Sequence, residues 1–96
     1  MVKELDSLSL TSELIRAARA LLRWGQGDLA KASGVSIPTI KRLENVPGLL
    51  AAHRSTVTAL RRALESAGIE FINGMAPGVR LKAEPQKEDP GADRVR

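Results

Sequence analysis

The sequence predicts a mainly α-helical domain of about four helices that ends in a C-terminal β-hairpin. Its 96 residues are enough for one small hydrophobic core and not for two. Trp24 and Phe71 are the only aromatic residues, so the core must be aliphatic, and this composition favours packed helices over a β-sandwich. Apolar residues recur at helical spacing over most of the chain and alternate only towards its C-terminus.

The first helix is expected to begin at Thr11 or Ser12, because either hydroxyl can cap a helix and Glu13 follows in the first turn. Apolar residues then recur at intervals that indicate an amphipathic helix. This stripe consists of Leu14, Ile15, Ala18, Leu21 and Leu22. Gly25 is expected to end the helix.

Two short helices separated by Gly34 are predicted next. The first covers 26–33, and the glycine after it can adopt the left-handed conformation that a sharp turn requires. The second covers 36–45, with Ser36 as its cap and Pro38 near its start, where a missing N–H costs little. The residues expected to face inward are Leu29, Ile40 and Leu43.

A loop, a fourth helix and a hairpin complete the predicted fold. Pro47 and Gly48 indicate a loop, which is unusually apolar over 46–50. Ser55 is expected to cap the fourth helix. The buried stripe of that helix is Val57, Leu60, Leu64 and Ala67, and Gly68 follows it. Alternating apolar residues on both sides of the turn-rich segment 73–78 predict the hairpin.

These elements divide the chain into three parts. Residues 1–10 form an N-terminal lead-in that does not resemble a signal peptide, and 11–82 form the folded domain. Residues 83–96 are rich in charge, Pro and Gly, and they are expected to be disordered. No segment is apolar enough to span a membrane, so a cytoplasmic protein is the expectation.

Charge alone suits a polyanion-binding protein and a soluble surface of mixed sign equally, and composition argues against an enzyme. Residues 12–82 hold 11 Lys/Arg and 5 Asp/Glu, a net charge of +6, which would attract DNA, RNA or an acidic membrane. The chain has no cysteine, and its single histidine, His53, has no second ligand nearby, so neither a metal site nor any other cofactor is expected. Scattered acids and one histidine do not form the grouped set that catalysis needs.

Residues 26–44 read Gln-Gly-Asp-Leu-Ala-Lys-Ala-Ser-Gly-Val-Ser-Ile-Pro-Thr-Ile-Lys-Arg-Leu-Glu. This segment resembles the XRE family of Cro- and phage-repressor-like helix-turn-helix regulators, whose pattern is Gln, Leu-Ala, Gly-Val-Ser, Ile and Leu-Glu. The matching positions are Gln26, Leu29, Ala30, Gly34, Val35, Ser36, Ile40, Leu43 and Glu44. The resemblance implies a lambda-repressor-like fold over 11–68 and a transcriptional repressor or activator that binds double-stranded DNA, of which a repressor is the expectation.

The same resemblance implies a set of DNA-binding residues. The helix over 36–45 would enter the major groove with its N-terminal end first. Its base-facing residues would be Ile37, Pro38 and Arg42, with Thr39 and Lys41 beside them. Gln26 and Ser36 match positions that contact phosphate. Further phosphate contacts are expected from Lys41 and, at a helix N-terminus, from Arg54, Ser55 and Thr56.

Simpler interpretations stand beside these. Gln26 can be a plain helix-start residue, and Arg42 a solvated surface charge. Trp24 is expected to pack against the core and His53 to lie in a loop. The other arginines are expected to be exposed or paired with acids; they are Arg16, Arg19, Arg23, Arg61 and Arg62.

Two questions about partners stay open in the sequence. The apolar loop and the apolar side chains at base-facing positions also suit a protein-interaction module, such as an antitoxin or anti-activator. An isolated helix-turn-helix makes few contacts, so a homodimer is expected, with strand 69–72 or 79–82 pairing across a two-fold axis.

Overall fold

The computed structural model describes residues 10–82, which form four helices followed by a two-stranded antiparallel hairpin. The elements are α1 (Ser12–Leu22), α2 (Gln26–Ser33), α3 (Ile37–Asn45), α4 (Arg54–Ser66), β1 (Ile69–Ile72) and β2 (Gly78–Leu81). The prediction of a mainly helical fold with a C-terminal hairpin is therefore confirmed. The predicted lead-in, apart from Leu10, and the predicted disordered tail over 83–96 lie outside the described residues.

Helix α1 begins as predicted and ends earlier than predicted. The Thr11 side chain caps it, because Oγ1 accepts a hydrogen bond from the Leu14 N–H at 3.1 Å. The helix ends at Leu22, and the capping residue Arg23 adopts the left-handed conformation (φ 60°), so the prediction that Gly25 ends the helix is wrong. The Arg23 N–H donates to the Ala20 carbonyl at 3.1 Å and the Trp24 N–H donates to the Arg19 carbonyl at 2.9 Å, so these last-turn carbonyls are satisfied without a glycine.

The predicted apolar stripe of α1 is confirmed at every position except Leu21. Ile15 and Ala18 are buried, whereas Leu21 is 42% exposed. Leu14 and Leu22 are partly buried and pack against the same core, so four of the five predicted residues face inward. Leu21 consequently lies at the edge of the packed face.

Helices α2 and α3 and the turn between them match the prediction. Gly34 has φ 82°, and its N–H donates to the Ala30 carbonyl at 2.8 Å to end α2. Ser36 caps α3, and Pro38 lies in the first turn, where its missing N–H has no helical partner. Leu29, Ile40 and Leu43 are all buried, so both helices are anchored by their apolar sides.

The loop 46–53 is tied to the start of α1 by backbone hydrogen bonds. The Ser12 N–H donates to the Gly48 carbonyl at 2.9 Å, and the Leu50 N–H donates to the Leu10 carbonyl at 3.0 Å. The Gly48 N–H donates to the Glu13 carboxylate at 3.1 Å. These bonds satisfy the backbone of an apolar loop and hold it between α3 and α4.

Helix α4 and the hairpin close the domain. The N-cap of α4 is His53, so the prediction that Ser55 caps the helix is wrong: the chain is already helical at Arg54 and places Ser55 in the first turn. Strands β1 and β2 pair with Ile69 opposite Leu81, and the two strands pack against α4 and α1 respectively. Ile69 and Phe71 are buried, which joins the hairpin to an otherwise aliphatic core.

Candidate nucleic-acid interface

Helix α3 has one side in the core and the other in solvent. Ile40 and Leu43 are buried, while Lys41 and Arg42 are exposed. At the N-terminal end, Ile37 is 42% exposed and Pro38 is exposed as well. Since side chains of a helix diverge by about 100° per residue, the same turn that buries Ile40 directs Arg42 outward. The predicted base-facing residues Ile37, Pro38 and Arg42 are therefore all exposed.

Ser36 and Thr39 form a closed hydrogen-bonded pair at the start of α3. The Ser36 Oγ accepts from the Thr39 N–H at 3.3 Å and donates to the Thr39 Oγ1 at 3.0 Å. This double contact fixes both side chains, and it leaves the Thr39 hydroxyl proton free to donate to a ligand. Both residues were predicted to lie near DNA, and their hydroxyls lie at the exposed end of the helix.

Lys41 and Arg42 of α3 lie outside the ion pairs that the described residues form. Among residues 10–82, the ion pairs are Arg19 with Glu44, Arg61 with Glu65, and Arg80 with Glu70. Lys41 and Arg42 take part in none of these pairs. No acidic side chain of residues 10–82 therefore pairs with these two charges, and they can attract an anionic partner.

A shallow groove joins α3 to the start of α4. It is lined by Thr39, Arg42, Ala51, Ala52, His53 and Thr56. Two residues beside it, Arg54 and Ser55, are exposed on the first turn of α4. The first amides of a helix have no helical acceptor and point towards its N-terminal end, where they favour a negative group. The tertiary structure thus brings the predicted residues of α4 next to those of α3.

Gln26 lies at the first position of α2, next to the start of α3. A Cβ on the adjacent Gly27 would lie 3.9 Å from Cδ1 of Ile37, so the beginnings of the two helices are in contact. The Gln26 side chain is not free: its Nε2 donates to Glu44 Oε1 at 2.9 Å. Gln26, itself half-buried, is therefore a component of a partly buried polar cluster.

The centre of that cluster is the Glu44 carboxylate. Glu44 is only 5% exposed, and Arg19 grips it with two hydrogen bonds, from Nε at 2.9 Å and from the terminal nitrogen at 2.8 Å. Burial raises the pKa of Glu44, but the hydrogen bonds from Arg19 and Gln26 and the charges of Arg19 and Arg16 outweigh it. The pKa is lowered from the usual 4.5, so the carboxylate is ionised at neutral pH.

Sequence reasoning did not assign a role to this cluster. Glu44 belongs to the matched pattern, and Arg19 was expected to be exposed or paired with an acid; it is paired. One signal was available: Glu44 follows Ile40 by four residues and therefore lies on the same side of α3 as the core. A charged residue in such a position requires a partner of opposite charge.

The other candidate residues have structural surroundings. Trp24 is partly buried against the core, as predicted, and its carbonyl accepts a hydrogen bond from Arg19 at 3.0 Å. His53 ends the loop as the N-cap of α4. Over residues 10–82, no group of three His, Cys, Asp or Glu side chains could hold a metal ion.

Comparison with known proteins does not assign the chain to a family. No family model matches the chain, and no curated protein matches it either. Within the described part of the chain, no helix is both long enough and apolar enough to cross a lipid bilayer.

Proposed function

We propose that this protein is a lambda-repressor-like, sequence-specific DNA-binding transcription regulator, and in mode of action a repressor. The observation that carries the proposal is helix α3, which buries Ile40 and Leu43 while exposing Arg42 after the left-handed turn at Gly34. An exposed, cationic helix of nine residues, held firmly by its opposite side, fits the width of the DNA major groove.

In this proposal Arg42 reads sequence directly. Its planar guanidinium can donate two hydrogen bonds to the O6 and N7 atoms of guanine, which discriminates against another base by about 1–3 kcal/mol. Ile37 and Pro38 offer only apolar contact, so they would recognise a thymine methyl group. Thr39 and Lys41 lie beside these residues. Part of the selectivity would then come from DNA shape.

Phosphate contacts would surround the reading residues on two sides. Gln26 and Ser36 lie at the starts of α2 and α3, and Lys41 lies on the exposed side of α3. Across the groove, Arg54, Ser55 and Thr56 form the first turn of α4. Cationic and hydroxyl side chains with free helix amides are the groups that commonly bind the DNA backbone.

We propose a homodimer as the active form. The Lys82 N–H donates to the Gly68 carbonyl, so in the antiparallel register the backbone groups of Val79 and Leu81 point away from β1. Leu81 is also 45% exposed. Pairing of β2 with its symmetry mate would cover this edge and would present two copies of α3 to half-sites about 34 Å apart.

The test is selection of bound sequences from a random duplex pool with the wild type, Arg42→Ala and Arg62→Ala. The wild type should enrich a two-fold symmetric site. Arg42→Ala should lose the preference for guanine at one position in each half-site, whereas Arg62→Ala, an exposed arginine in the second half of α4, should leave the selected sequence unchanged. A wild-type pool that stays random would contradict the proposal.

A protein-interaction module, such as an antitoxin or anti-activator, is the second candidate. Exposed apolar side chains on the loop and on the hairpin turn favour it, since Leu49 is 64% exposed and Met75 is fully exposed. A random selected pool, together with a stoichiometric protein partner whose binding is lost in Leu49→Ser and kept in Arg42→Ala, would support this function. In either case we propose a cytoplasmic protein that is not an enzyme and needs no cofactor.

A further inference from the structure

The amide of Gln26 can face Glu44 in only one orientation. Nε2 of Gln26 lies 2.9 Å from Oε1 of Glu44, and an ionised carboxylate accepts hydrogen bonds but donates none. The NH₂ group must therefore point at Glu44 and the carbonyl oxygen away from it. A glutamine that faced only solvent could rotate between both orientations.

Glu44 is itself fixed, because α1 supplies cations on two sides of it. The side chain is 4% exposed, and the Arg19 fork holds both of its oxygens. Arg16 donates to the Glu44 backbone carbonyl at the outer limit of hydrogen bonding, 3.5 Å. Three helices meet here: α1 supplies the cations, α3 the carboxylate, and α2 the amide. The half-buried Gln26 side chain is thus the outermost member of a chain of charge-assisted hydrogen bonds.

We infer that Glu44 is a positioning residue for DNA binding, which acts by holding the Gln26 amide in the orientation that keeps one N–H for a phosphate oxygen. This inference rests on the proposed function. Of the two Gln26 N–H groups, one is used by Glu44 and the other stays available. The carbonyl oxygen accepts no hydrogen bond within residues 10–82, so it is left to water. A donor that is already oriented loses less rotamer entropy when it binds.

A purely structural role for Glu44 makes a different prediction. If the carboxylate only joined α1 to α3, its loss would weaken DNA binding whether or not Gln26 were present. If it acts through Gln26, the loss matters only when Gln26 is there. A double-mutant cycle separates these roles, because it measures the coupling between two side chains.

The experiment measures the affinity of wild type, Gln26→Ala, Glu44→Gln and the double variant for the selected duplex. Gln26→Ala should weaken binding by about tenfold, the loss expected for one hydrogen bond to a charged group. Glu44→Gln should cause a similar loss, since an amide at this position can donate as well as accept and no longer fixes Gln26. In the Gln26→Ala background, Glu44→Gln should change the affinity by less than about twofold.

The change in net charge in Glu44→Gln works against the expected loss of DNA affinity, so such a loss cannot be an electrostatic artefact. Removal of a carboxylate should by itself strengthen binding to DNA, so a weaker complex opposes the electrostatic effect. The matched control is Glu65→Gln, which removes an exposed carboxylate near the end of α4, far from the first turn of that helix. This control should bind the duplex as tightly as the wild type or more tightly.

A second measurement reports the orientation without DNA. In nuclear magnetic resonance spectra, the two Gln26 side-chain protons should differ strongly in chemical shift, and one should titrate with Glu44 as the pH falls. Side-chain proton shifts that match those of a solvated glutamine and do not change with pH, or additive losses in the cycle, would overturn the inference while leaving DNA binding in place. A wild type that binds no duplex would overturn the proposed function and this inference with it.

Discussion

Glu44 is ionised although it is buried, and burial by itself opposes ionisation. The carboxylate stays charged because Arg19 and Gln26 donate hydrogen bonds to it, and Arg16 adds a further positive charge nearby. Breaking such a pair leaves a buried charge without compensation, and this costs more than the pair itself gains. At the scale of the single residue, Glu44 therefore makes both stability and the orientation of Gln26 depend on pH.

The stability contribution of Glu44 should disappear in acid. Its pKa in the folded protein is lower than the usual 4.5, so the ionised form stabilises the fold above that value. As the pH falls below about 4.5 and passes the lowered pKa, the folded state must take up a proton and this contribution is lost. Urea unfolding at several pH values should show wild type and Glu44→Gln differing most near neutral pH and converging in acid.

Glu13 must be controlled for in this experiment. Its pKa is also lowered, by hydrogen bonds from its own backbone N–H and from the Gly48 N–H. Because Glu44→Gln retains Glu13, the difference between the two proteins isolates Glu44. A difference in unfolding free energy that stayed constant from neutral pH into acid would show that the Glu44 charge contributes nothing to the fold.

At the scale of the element, the turn between α2 and α3 decides where the exposed helix lies. Gly34 has φ 82°, and the capping side chain of Ser36 follows two residues later. Open space surrounds Gly34, since a Cβ there would meet no atom within 4 Å. The requirement for glycine is thus one of backbone conformation and not of packing.

Gly34→Ala should destabilise the protein by about 1–2 kcal/mol, the cost of placing an L side chain in the left-handed region. Gly27→Ala is the matched control. Gly27 is helical, and a Cβ there would make only ordinary contact with Ile37, so this change should be neutral or stabilising by up to about 1 kcal/mol. Chemical denaturation of both variants measures the difference. Equal effects of the two substitutions would mean that the turn does not need its left-handed residue.

At the scale of the whole molecule, charge is distributed unevenly. Residues 12–82 carry a net charge of +6, while the entire chain carries +4. Several carboxylates inside the domain are already used by arginines: Glu44, Glu65 and Glu70 each form an ion pair. Among residues 10–82, the cations outside these ion pairs include Lys41 and Arg42 of α3, and they give the exposed side of the helix its positive character.

DNA binding should consequently depend strongly on salt. If a dimer neutralises about six phosphates, the logarithm of the binding constant should fall with the logarithm of salt concentration at a slope near −5. Lys41→Ala should reduce the steepness of this slope without changing the preferred sequence. Titrations at several salt concentrations, with light scattering to establish the dimer, measure both quantities. A complex that is indifferent to salt would exclude phosphate contacts as its basis.

Local signals in the sequence determined the secondary structure. Thr11 and Ser36 each cap a helix through their own side chain, and Gly34 ends α2, because these effects act within about four residues of the chain. Apolar spacing likewise located the buried sides of α3 and α4. The exposure of Lys41 and Arg42 follows from the burial of Ile40 and Leu43, so the outward face of α3 could be inferred without coordinates.

Tertiary structure alone decided how these helices combine. Glu44 meets Gln26 and Arg19 across 18 and 25 positions of the chain, and such contacts depend on the angles at which helices pack. The N-cap of α4 is His53 and not Ser55, although His53 makes no capping hydrogen bond through its side chain. Capping hydrogen bonds and apolar periodicity depend on residues that are close in the sequence, so the sequence alone predicts them. The partners of a buried charge come from distant segments, so only the tertiary fold determines them.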